Sequence, residues 1–476
     1  MKNERAQSKT AISYGDDSPI AAFATPPAQS ALTLIRCSGK GAIELAAAVF
    51  SSPPRLLRAR GNTVLHGWIT APGSPAEKID EVLVSVFRAP KSYTGEDSLD
   101  ISGHGGAAAG RAIMDALRGA GFRDALPGEF TFRAFMNGKL DLTRSESVME
   151  LVSAKTGEGL RHAVNRLSGV LEKEITGIKS LLAEALAAVE IFLDYSEDEI
   201  DPDDGEEAGR FPGGARAEEA LKRLKRLAAS WRRERIYQEG ILAVIAGRPN
   251  AGKSSLFNRL LGEERSIVTE IPGTTRDWIE AWVSIEGLPV RLADTAGLRD
   301  SGGRIEKIGV ERSLGLLKEA ELVLYVIDGA AGSGPEDSAF LAEIADKPCL
   351  IVRNKADIAP PSAGPDIARA GSAGLVSVSA KTGEGIEALA RAIAAAVEAS
   401  APAEDGASSA AGSALAEAAL GSARQKTLVE SAAAAIEEAL DLAGRGEALE
   451  LIAAPLREAV NCLGEITGEV STADIL

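Results

Sequence analysis

Four short polar segments, each of which follows an apolar run, have the composition to bind a nucleoside triphosphate. The first, Gly247–Ser254, reads GRPNAGKS and matches the GxxxxGK[ST] pattern, in which backbone amides at a helix N-terminus surround phosphate groups. We expect Lys253 to reach the β- and γ-phosphates and Ser254 to ligate Mg²⁺. A chance glycine-rich turn is the alternative, but eight matching positions between a strand and a helix disfavour it.

The other three segments complete the phosphate site and select the base. Asp294–Gly297 (DTAG) supplies a carboxylate that can hold Mg²⁺ through water and a glycine amide that can contact the γ-phosphate. Asn354–Asp357 (NKAD) resembles the NKxD element of GTPases, whose aspartate accepts hydrogen bonds from guanine N1 and N2; adenine lacks this donor pair. Ser379–Lys381 (SAK) resembles the loop that closes on the base. This order predicts a GTPase domain that binds and hydrolyses GTP with Mg²⁺.

The predicted GTP-binding residues of these segments fall into four groups. They are Asn250, Ala251, Gly252, Lys253, Ser254 and Ser255; Asp294, Thr295, Ala296 and Gly297; Asn354, Lys355 and Asp357; and Ser379, Ala380 and Lys381.

The catalytic part of the pattern departs from Ras-like enzymes. In Ras-like enzymes the residue after DTAG is a glutamine that orients the attacking water. Here that residue is Leu298, which cannot do so, and another group must therefore orient the water. Arg276 is a candidate arginine finger in cis, and Lys253 is expected to act on the phosphates. The amide of Asn250 either helps to hold a monovalent cation beside the phosphates or only shapes the loop.

The sequence around the four segments predicts a scaffold that brings strand ends together. From Ile241 to about Ala395 the chain alternates strand, turn and helix, which predicts a parallel sheet in a Ras-like α/β domain. The run Ser255–Leu261 predicts the helix after the first segment. Apolar strand runs precede the segments at Ile241–Ala246, Val290–Ala293, Cys349–Val352 and Leu375–Val378.

Helical patterns on both sides indicate that this domain is inserted into an α-helical domain. Gly169–Leu193 and Ala217–Arg235 carry apolar residues at helical spacing before it, and Ala423–Ala443 and Glu447–Leu463 do so after it. Within the second of these helices, Leu221–Arg235 carries seven basic residues and one acidic residue. Its basic side chains form either a tRNA-facing patch or, as we favour, the solvated face of a helix whose leucines pack inward.

The first 130 residues read as mixed α/β structure, with β-like runs at Ala31–Arg36 and Glu81–Phe87. Glu197–Glu207 and Ala399–Gly421 have the composition of loops. The predicted domains are 1–130, 131–236, 237–396 and 397–476.

The composition sets limits on location and partners. A formal net charge of −17 argues against non-specific coating of nucleic acid or membrane. The cysteines, Cys37, Cys349 and Cys462, lie far apart, which disfavours a disulfide framework or a zinc site. Neither a signal peptide nor a membrane-spanning stretch is apparent, so we expect a cytoplasmic protein without a membrane partner.

The flanks of the GTPase pattern resemble the signature segments of the bacterial MnmE/TrmE family of tRNA-modification GTPases. The block that contains PGEFT, RAF and NGKLDLT is the most distinctive part, and the resemblance spans nearly the whole chain. The matching segments are Ile20–Arg36 (IAAFATPPAQSALTLIR), Ser92–Gly106 (SYTGEDSLDISGHGG), Pro127–Val148 (PGEFTFRAFMNGKLDLTRSESV), Ala423–Gln425 (ARQ) and Leu463–Thr467 (LGEIT).

This resemblance implies an α+β N-terminal folate-binding domain that forms a homodimer, a helical domain, and an inserted GTPase domain. With the flavoprotein MnmG/GidA, family members add a carboxymethylaminomethyl or aminomethyl group to the wobble uridine of certain tRNAs. The one-carbon unit comes from a tetrahydrofolate derivative, formyl- or methylene-tetrahydrofolate.

The resemblance also implies functional residues. Potassium-dependent dimerisation activates the GTPase domains, which makes Asn250, Thr269, Ile271 and Thr274 the expected K⁺ ligands. Thr275 becomes the second Mg²⁺ ligand, and Thr269, Thr274 and Thr275 join the GTP-binding residues. Glu306 falls where the family keeps its water-positioning glutamate, which answers the question that Leu298 raises. The folate site is expected at Arg36, Glu96 and Lys139.

Two departures from the family pattern are visible. Ala28–Ala31 stands where the family has a Gly/Arg-rich loop. The family's C-terminal Cys-(Ile/Leu)-Gly-Lys motif is not in the sequence, which ends at Leu476, and we expect GTP hydrolysis not to depend on it. Two other functions stay open: a ribosome-assembly GTPase switch, which the folate-like N-terminal segments disfavour, and a degenerate relative that retains only GTPase activity.

Overall fold

The chain, in a computed structural model, forms two compact units, Met1–Ser145 and Glu146–Leu476. The structure describes residues 16–194, 211–263, 280–294, 315–358, 372–399 and 418–469. The predicted boundary after residue 130 falls inside the first unit, and the predicted division into four parts stays a prediction. The predicted loops Glu197–Glu207 and Ala399–Gly421 lie largely outside the described residues.

The first unit is an α+β domain built on a mostly antiparallel sheet. Among its described residues, the strands run in the order β3-β4-β5-β2-β1-β6, and only the β1–β6 pair is parallel. Its elements are β1 (Ile20–Phe23), β2 (Leu32–Ser38), α1 (Ala42–Ala47), α2 (Pro53–Leu57), β3 (Thr63–Ala71), β4 (Ser74–Phe87), β5 (Ser98–His104), α3 (Ala107–Ala120), β6 (Arg123–Asp124) and α4 (Glu129–Met136).

The two faces of this sheet differ in burial. One face packs against α1 and α3, and the core there contains Ile43, Ile113 and Leu117, each fully buried. The other face carries exposed apolar side chains, since Leu32 and Val64 are each 61% exposed. Alternation of buried and exposed residues along β2 and β4 follows from the two-residue period of a strand.

The second unit contains a helical bundle whose parts come from both ends of the sequence. Its helices are α5 (Leu142–Ser153), α6 (Gly157–Leu167), α7 (Val170–Asp194), α8 (Gly214–Glu239), α12 (Ala423–Gly444) and α13 (Leu449–Thr467). Side chains of α7, α8, α12 and α13 share one apolar core, which includes Leu182, Leu224, Ile436 and Leu456. The α/β segment therefore lies between two halves of one helical domain, which confirms the predicted insertion.

The inserted segment is a mostly parallel sheet covered on both faces. The order among its described strands is β12-β11-β10-β7-β9-β8, and only β8 is antiparallel to its neighbour. Its elements are β7 (Ile241–Gly247), α9 (Lys253–Glu263), β8 (Glu280–Ile285), β9 (Leu288–Asp294), β10 (Leu322–Asp328), α10 (Pro335–Glu343), β11 (Cys349–Asn354), β12 (Ser372–Ser377) and α11 (Ile386–Ala399).

Burial explains why the strands of this sheet could be recognised from the sequence. Residues Ile241 to Ala246 of β7 are all buried, as a central strand of a parallel sheet requires. Three predicted strands fall within β7, β9 and β11. The fourth strand was predicted at Leu375–Val378. It corresponds to β12, which begins earlier and spans Ser372–Ser377.

We predict that Leu224→Ala destabilises the helical bundle. Leu224 is fully buried in the shared core, and loss of its side chain leaves a cavity that costs about 2–5 kcal/mol. Urea unfolding followed by circular dichroism measures this loss. Leu451→Ala on α13 is the matched control, because Leu451 is 51% exposed and its removal should change the unfolding free energy by about 0.5 kcal/mol or less.

Candidate functional site

The carboxyl ends of four neighbouring strands bring the polar segments together. In the sheet, Ile245 of β7 pairs with Asp294 of β9, and Asp328 of β10 pairs with Asn354 of β11. In an open α/β sheet, ligands bind in the crevice outside these strand ends. The sheet register therefore places Asp294, the first residue of DTAG, and Asn354, the first residue of NKAD, on either side of the phosphate-binding loop.

The backbone of the phosphate-binding loop requires glycine at two positions. At Gly247 φ is 141°, and a Cβ there would lie 2.3 Å from the carbonyl oxygen of Val326. At Gly252 φ is 91°, and a Cβ would lie 2.1 Å from Asn354 Nδ2. Asn250 also has a positive φ, 64°, a conformation that asparagine adopts more readily than most residues.

Lys253 and Ser254 begin helix α9 and face the loop and β9 respectively. Lys253 is 7% exposed, and its Nζ donates to the carbonyl oxygens of Gly247 (3.0 Å) and Arg248 (2.8 Å). Ser254 Oγ donates to Asp294 Oδ2 at 2.7 Å. A hydroxyl and a buried carboxylate are hard oxygen donors of the kind that Mg²⁺ prefers, so these two residues fit a magnesium site beside a triphosphate.

The base-binding side is held by Asn354, which is 2% exposed. Its Nδ2 donates to the carbonyl oxygen of Ala251 (3.0 Å), and its Oδ1 accepts from the amide of Ala380 (3.0 Å). Asp357 Oδ1 accepts from Ser379 Oγ at 2.8 Å, which joins NKAD to SAK. The structure therefore brings the first, third and fourth segments into one site with direct contacts.

Three further residues at this site were not predicted as binding residues from the sequence: Asp328, Arg248 and Arg259. Lys355 donates to Asp328 at 2.6 Å, and this hydrogen bond lowers the pKa of Asp328 below its ordinary value. Arg248 binds the carbonyl oxygen of Gly332 (2.6 Å) and pairs with Asp337 of α10 (3.1 Å). Asp328 ends an apolar strand at the same edge as the four segments, and that position was the signal available in the sequence.

Arg259 of α9 is the third of these residues, and it supports the closing loop. Its Nε donates to the carbonyl oxygen of Ala380 at 3.0 Å, and its Nη2 donates to that of Lys381 at 2.5 Å. Since α9 follows the phosphate-binding loop directly, Arg259 links the phosphate side of the site to the base side.

Several predicted site residues lie outside the described residues. They are Thr269, Ile271, Thr274, Thr275, Arg276, Thr295, Ala296, Gly297 and Glu306. The assignments of the K⁺ site, the second Mg²⁺ ligand and the water-positioning glutamate therefore stay predictions.

The three residues predicted for folate lie around one loop of the first unit, between β4 and β5. Arg36 pairs with Asp100 through two hydrogen bonds of 2.9 Å, and its guanidinium lies 5.7 Å from the ring centroid of Tyr93 in that loop. Glu96, within the loop, accepts from Ser38 Oγ at 2.8 Å.

Lys139 and Arg133 contact the same loop from its other side. Lys139 Nζ donates to the carbonyl oxygen of Pro90 at 3.0 Å, and Arg133 Nη1 lies 3.2 Å from both carboxylate oxygens of Glu96. Arg36 and Glu96 thus have internal partners of opposite charge, whereas Lys139 is exposed. Arg133, which is 5% exposed, was not predicted; it lies in the RAF part of the distinctive block.

The interpretation of α8 and the surroundings of Cys462 can be compared with the structure. In α8, Leu224 and Leu227 are buried in the bundle core, and Leu221 and Trp231 pack against it, as the solvated-helix interpretation predicts. Cys462 packs partly buried against the same core, and burial raises the pKa of its thiol. No helix in the described part of the chain has the length and apolar character to cross a membrane.

The glycine-constrained loop GRPNAGKS follows β7, and the NKAD segment, whose Asp357 accepts from Ser379, follows β11 on a mostly parallel sheet. These features define a class of enzyme, the P-loop GTPases, which hydrolyse GTP. Two family models match this chain: "MnmE helical domain" over residues 142–476, and "GTP-binding protein TrmE N-terminus" over residues 19–139. The chain belongs to the MnmE family of tRNA modification GTPases.

Full-length relatives give the same assignment. The tRNA modification GTPase MnmE of Treponema denticola is 43% identical, over 98% of this chain and 96% of its own length. The protein of the same name from Symbiobacterium thermophilum is 41% identical, over 96% of each chain. The predicted resemblance to the MnmE/TrmE family is thereby confirmed.

Solved structures of other GTPases match a smaller share of the chain. Era of Aquifex aeolicus, bound to GDP and AlF₄⁻, is 27% identical over 32% of this chain and 55% of its own, with a TM-score of 0.27. The G domain of the FeoB iron transporter of T. maritima is 31% identical over 33% of this chain and 98% of its own, with a TM-score of 0.26. At such TM-scores these matches add nothing to the assignment.

We predict that Gly252→Ala weakens GTP binding at least tenfold. The new methyl group would collide with Asn354 and would also require a positive φ that alanine disfavours, so the loop must shift away from the phosphates. Fluorescent GTP-analogue titration measures the affinity. Gly262→Ala on α9 is the matched control, since a Cβ there meets nothing within 4 Å; equal losses in both variants would contradict this account.

Proposed function

We propose that this chain is the GTP-hydrolysing component of a tRNA wobble-uridine modification system. With a flavoprotein partner, MnmG/GidA, it adds a carboxymethylaminomethyl or aminomethyl group to C5 of the uridine in certain tRNAs. The observation that carries the proposal is the 43% identity to a tRNA modification GTPase over 98% of the chain. The reaction takes place in the cytoplasm, where its tRNA substrate is found.

The GTP site supports a metal-assisted hydrolysis. Ser254, which donates to Asp294, and Thr275 would hold Mg²⁺, and the ion would neutralise charge on the β- and γ-phosphates. Lys253 supplies a second positive charge to the same phosphates, and Asp357 selects guanine. Glu306 positions the attacking water. Arg276 is the candidate arginine finger in cis.

A potassium ion completes this site in our proposal. Asn250, Thr269, Ile271 and Thr274 would hold it, and there it would supply the charge that an arginine finger supplies elsewhere. Asn250 supports the assignment because it is exposed in the left-handed conformation at the phosphate-binding loop, so its amide is accessible to an ion. Binding of K⁺ would promote dimerisation of the GTPase domains and so activate hydrolysis.

The first unit provides a folate site and a dimer interface in this proposal. Arg36, Glu96 and Lys139 surround the loop between β4 and β5, where Lys139 offers an exposed cation for the glutamate tail of a tetrahydrofolate derivative. Glu96, held by Arg133, offers a carboxylate to the pterin ring. The exposed apolar face of the sheet, with Leu32, Val64 and Leu83, is a suitable surface for a homodimer.

We predict that GTP hydrolysis is at least tenfold faster in KCl than in NaCl at equal ionic strength. Asn250→Ala should remove most of this difference, because the amide oxygen no longer holds the cation. Phosphate release under saturating GTP measures both rates. Equal rates of the unaltered protein in the two salts would exclude potassium activation, and an unchanged turnover number in Glu306→Ala would exclude the role given to that glutamate.

Wobble-uridine analysis tests the proposed function as a whole. We predict that tRNA from cells whose only copy of this gene encodes this chain carries the modified uridine, and that Gly252→Ala reduces it. Mass spectrometry of tRNA nucleosides makes the measurement, with Gly262→Ala as control. Unmodified uridine despite normal GTP hydrolysis would favour a degenerate relative that retains only the GTPase activity.

A further inference from the structure

Helix α8 presents a basic surface to solvent on the side opposite the bundle core. Its inward side carries Leu224 and Leu227, which are buried in the bundle core. Glu234, the one acidic residue of Leu221–Arg235, is also buried. Its outward side carries five exposed basic residues, which we term the α8 basic stripe: Lys222, Lys225, Arg226, Arg232 and Arg233.

The stripe keeps most of its positive charge. The described part of the chain provides no ion-pair partner for Lys222, Arg232 or Arg233. Lys225 pairs with Glu437 at 2.7 Å and Arg226 with Glu174 at 3.3 Å, but the two basic side chains are 58% and 75% exposed. Such exposed ion pairs are weak, so another anion can readily replace the carboxylate.

We propose that the α8 basic stripe binds the phosphate backbone of tRNA. This inference rests on the proposed function, which makes tRNA the substrate. The inference adds the surface of the protein that binds the tRNA. From Lys222 to Arg233 the helix rises about 16 Å. A nucleic-acid duplex presents about one phosphate for every 1.7 Å of its axis, so several phosphates lie within reach of the stripe.

The composition of the stripe favours a polyanion over a protein partner. Between Arg226 and Arg232 the exposed face offers only the methyl group of Ala229 as apolar surface. At their centre, protein interfaces are depleted of charged residues and enriched in aromatic residues. The stripe is instead rich in charged residues. Phosphate backbones, in contrast, are bound mainly by lysine and arginine.

The stripe also answers an electrostatic problem. A chain with a net charge of −17 repels tRNA at long range. At physiological salt, charges are screened beyond about 8 Å, so a phosphate at this surface interacts mainly with the stripe and little with distant carboxylates. A local basic surface is therefore sufficient for binding in an acidic protein.

The triple variant Lys222→Gln, Arg232→Gln, Arg233→Gln tests the inference in the full-length protein. Glutamine keeps a long polar side chain with good helix propensity, so α8 should remain folded. We expect the dissociation constant for an unmodified tRNA transcript, measured by fluorescence anisotropy, to rise about tenfold. The slope of log affinity against log salt should fall by roughly three units, about one for each lost phosphate contact. GTP hydrolysis without tRNA should be unchanged.

A second triple variant controls for net charge. Lys426→Gln, Arg445→Gln and Arg457→Gln remove the same formal charge from α12, from the residue that follows it and from α13, where the three residues pair with Glu430, Asp441 and Glu190. This variant should bind tRNA with nearly the affinity of the unaltered protein. Equal weakening in both triple variants would mean that only overall charge matters, and it would overturn the inference.

The outcomes separate this inference from the proposed function. If the unaltered protein binds tRNA and the stripe variant binds it equally well, the stripe is not the tRNA surface, and the proposed function stands. If the unaltered protein binds no tRNA at low salt, alone or with the flavoprotein, the proposed function fails together with the inference. If the stripe variant loses only the flavoprotein, the surface serves a protein partner and the inference is wrong.

Discussion

The nucleotide site depends on one buried side chain, that of Asn354. It ends β11, lies against Gly252, and hydrogen-bonds the phosphate-binding loop at Ala251 and the closing loop at Ala380. An unpaired amide at 2% exposure would be costly, so these two bonds fix both loops relative to the strand. Asp357 follows on the same segment and accepts from Ser379 Oγ, so the end of β11 also holds the closing loop through a second contact.

The inserted domain is joined to the helical bundle through a short connection and a second contact. Only Gly240 separates α8 from β7, and a Cβ there would lie 2.5 Å from the ring of Trp282 on β8. Lys155, just before α6, places its ammonium 3.5 Å from the centre of the same ring. Since β8 is the outer strand beside β9, the bundle contacts the strand pair that carries Asp294, the hydrogen-bond partner of Ser254.

Buried charged side chains specify the geometry of this junction. Arg166 of α6 binds Glu150 of α5 at 2.6 Å and Glu234 of α8 at 2.6 Å, and His162 contacts Glu234 at 2.7 Å. His162 also stacks on Tyr237, with ring centroids 4.7 Å apart. Buried ion pairs add little net stability but strongly disfavour arrangements that leave a charge without its partner. The network thus specifies how α5, α6 and α8 meet directly beside the connection to the GTPase domain.

The sequence by itself determined the enzyme class, the polar segments that follow the buried strands and the insertion into a helical domain. Phosphate and guanine recognition need particular residues next to one another in the chain, and buried parallel strands are continuous apolar runs, so both are visible locally. Only the tertiary structure decided that Lys355 pairs with Asp328, that Arg248 reaches Asp337, and that Arg133 holds Glu96. The partners in each pair are separated in the sequence, and which of many carboxylates a long cationic side chain meets follows from strand order and helix packing.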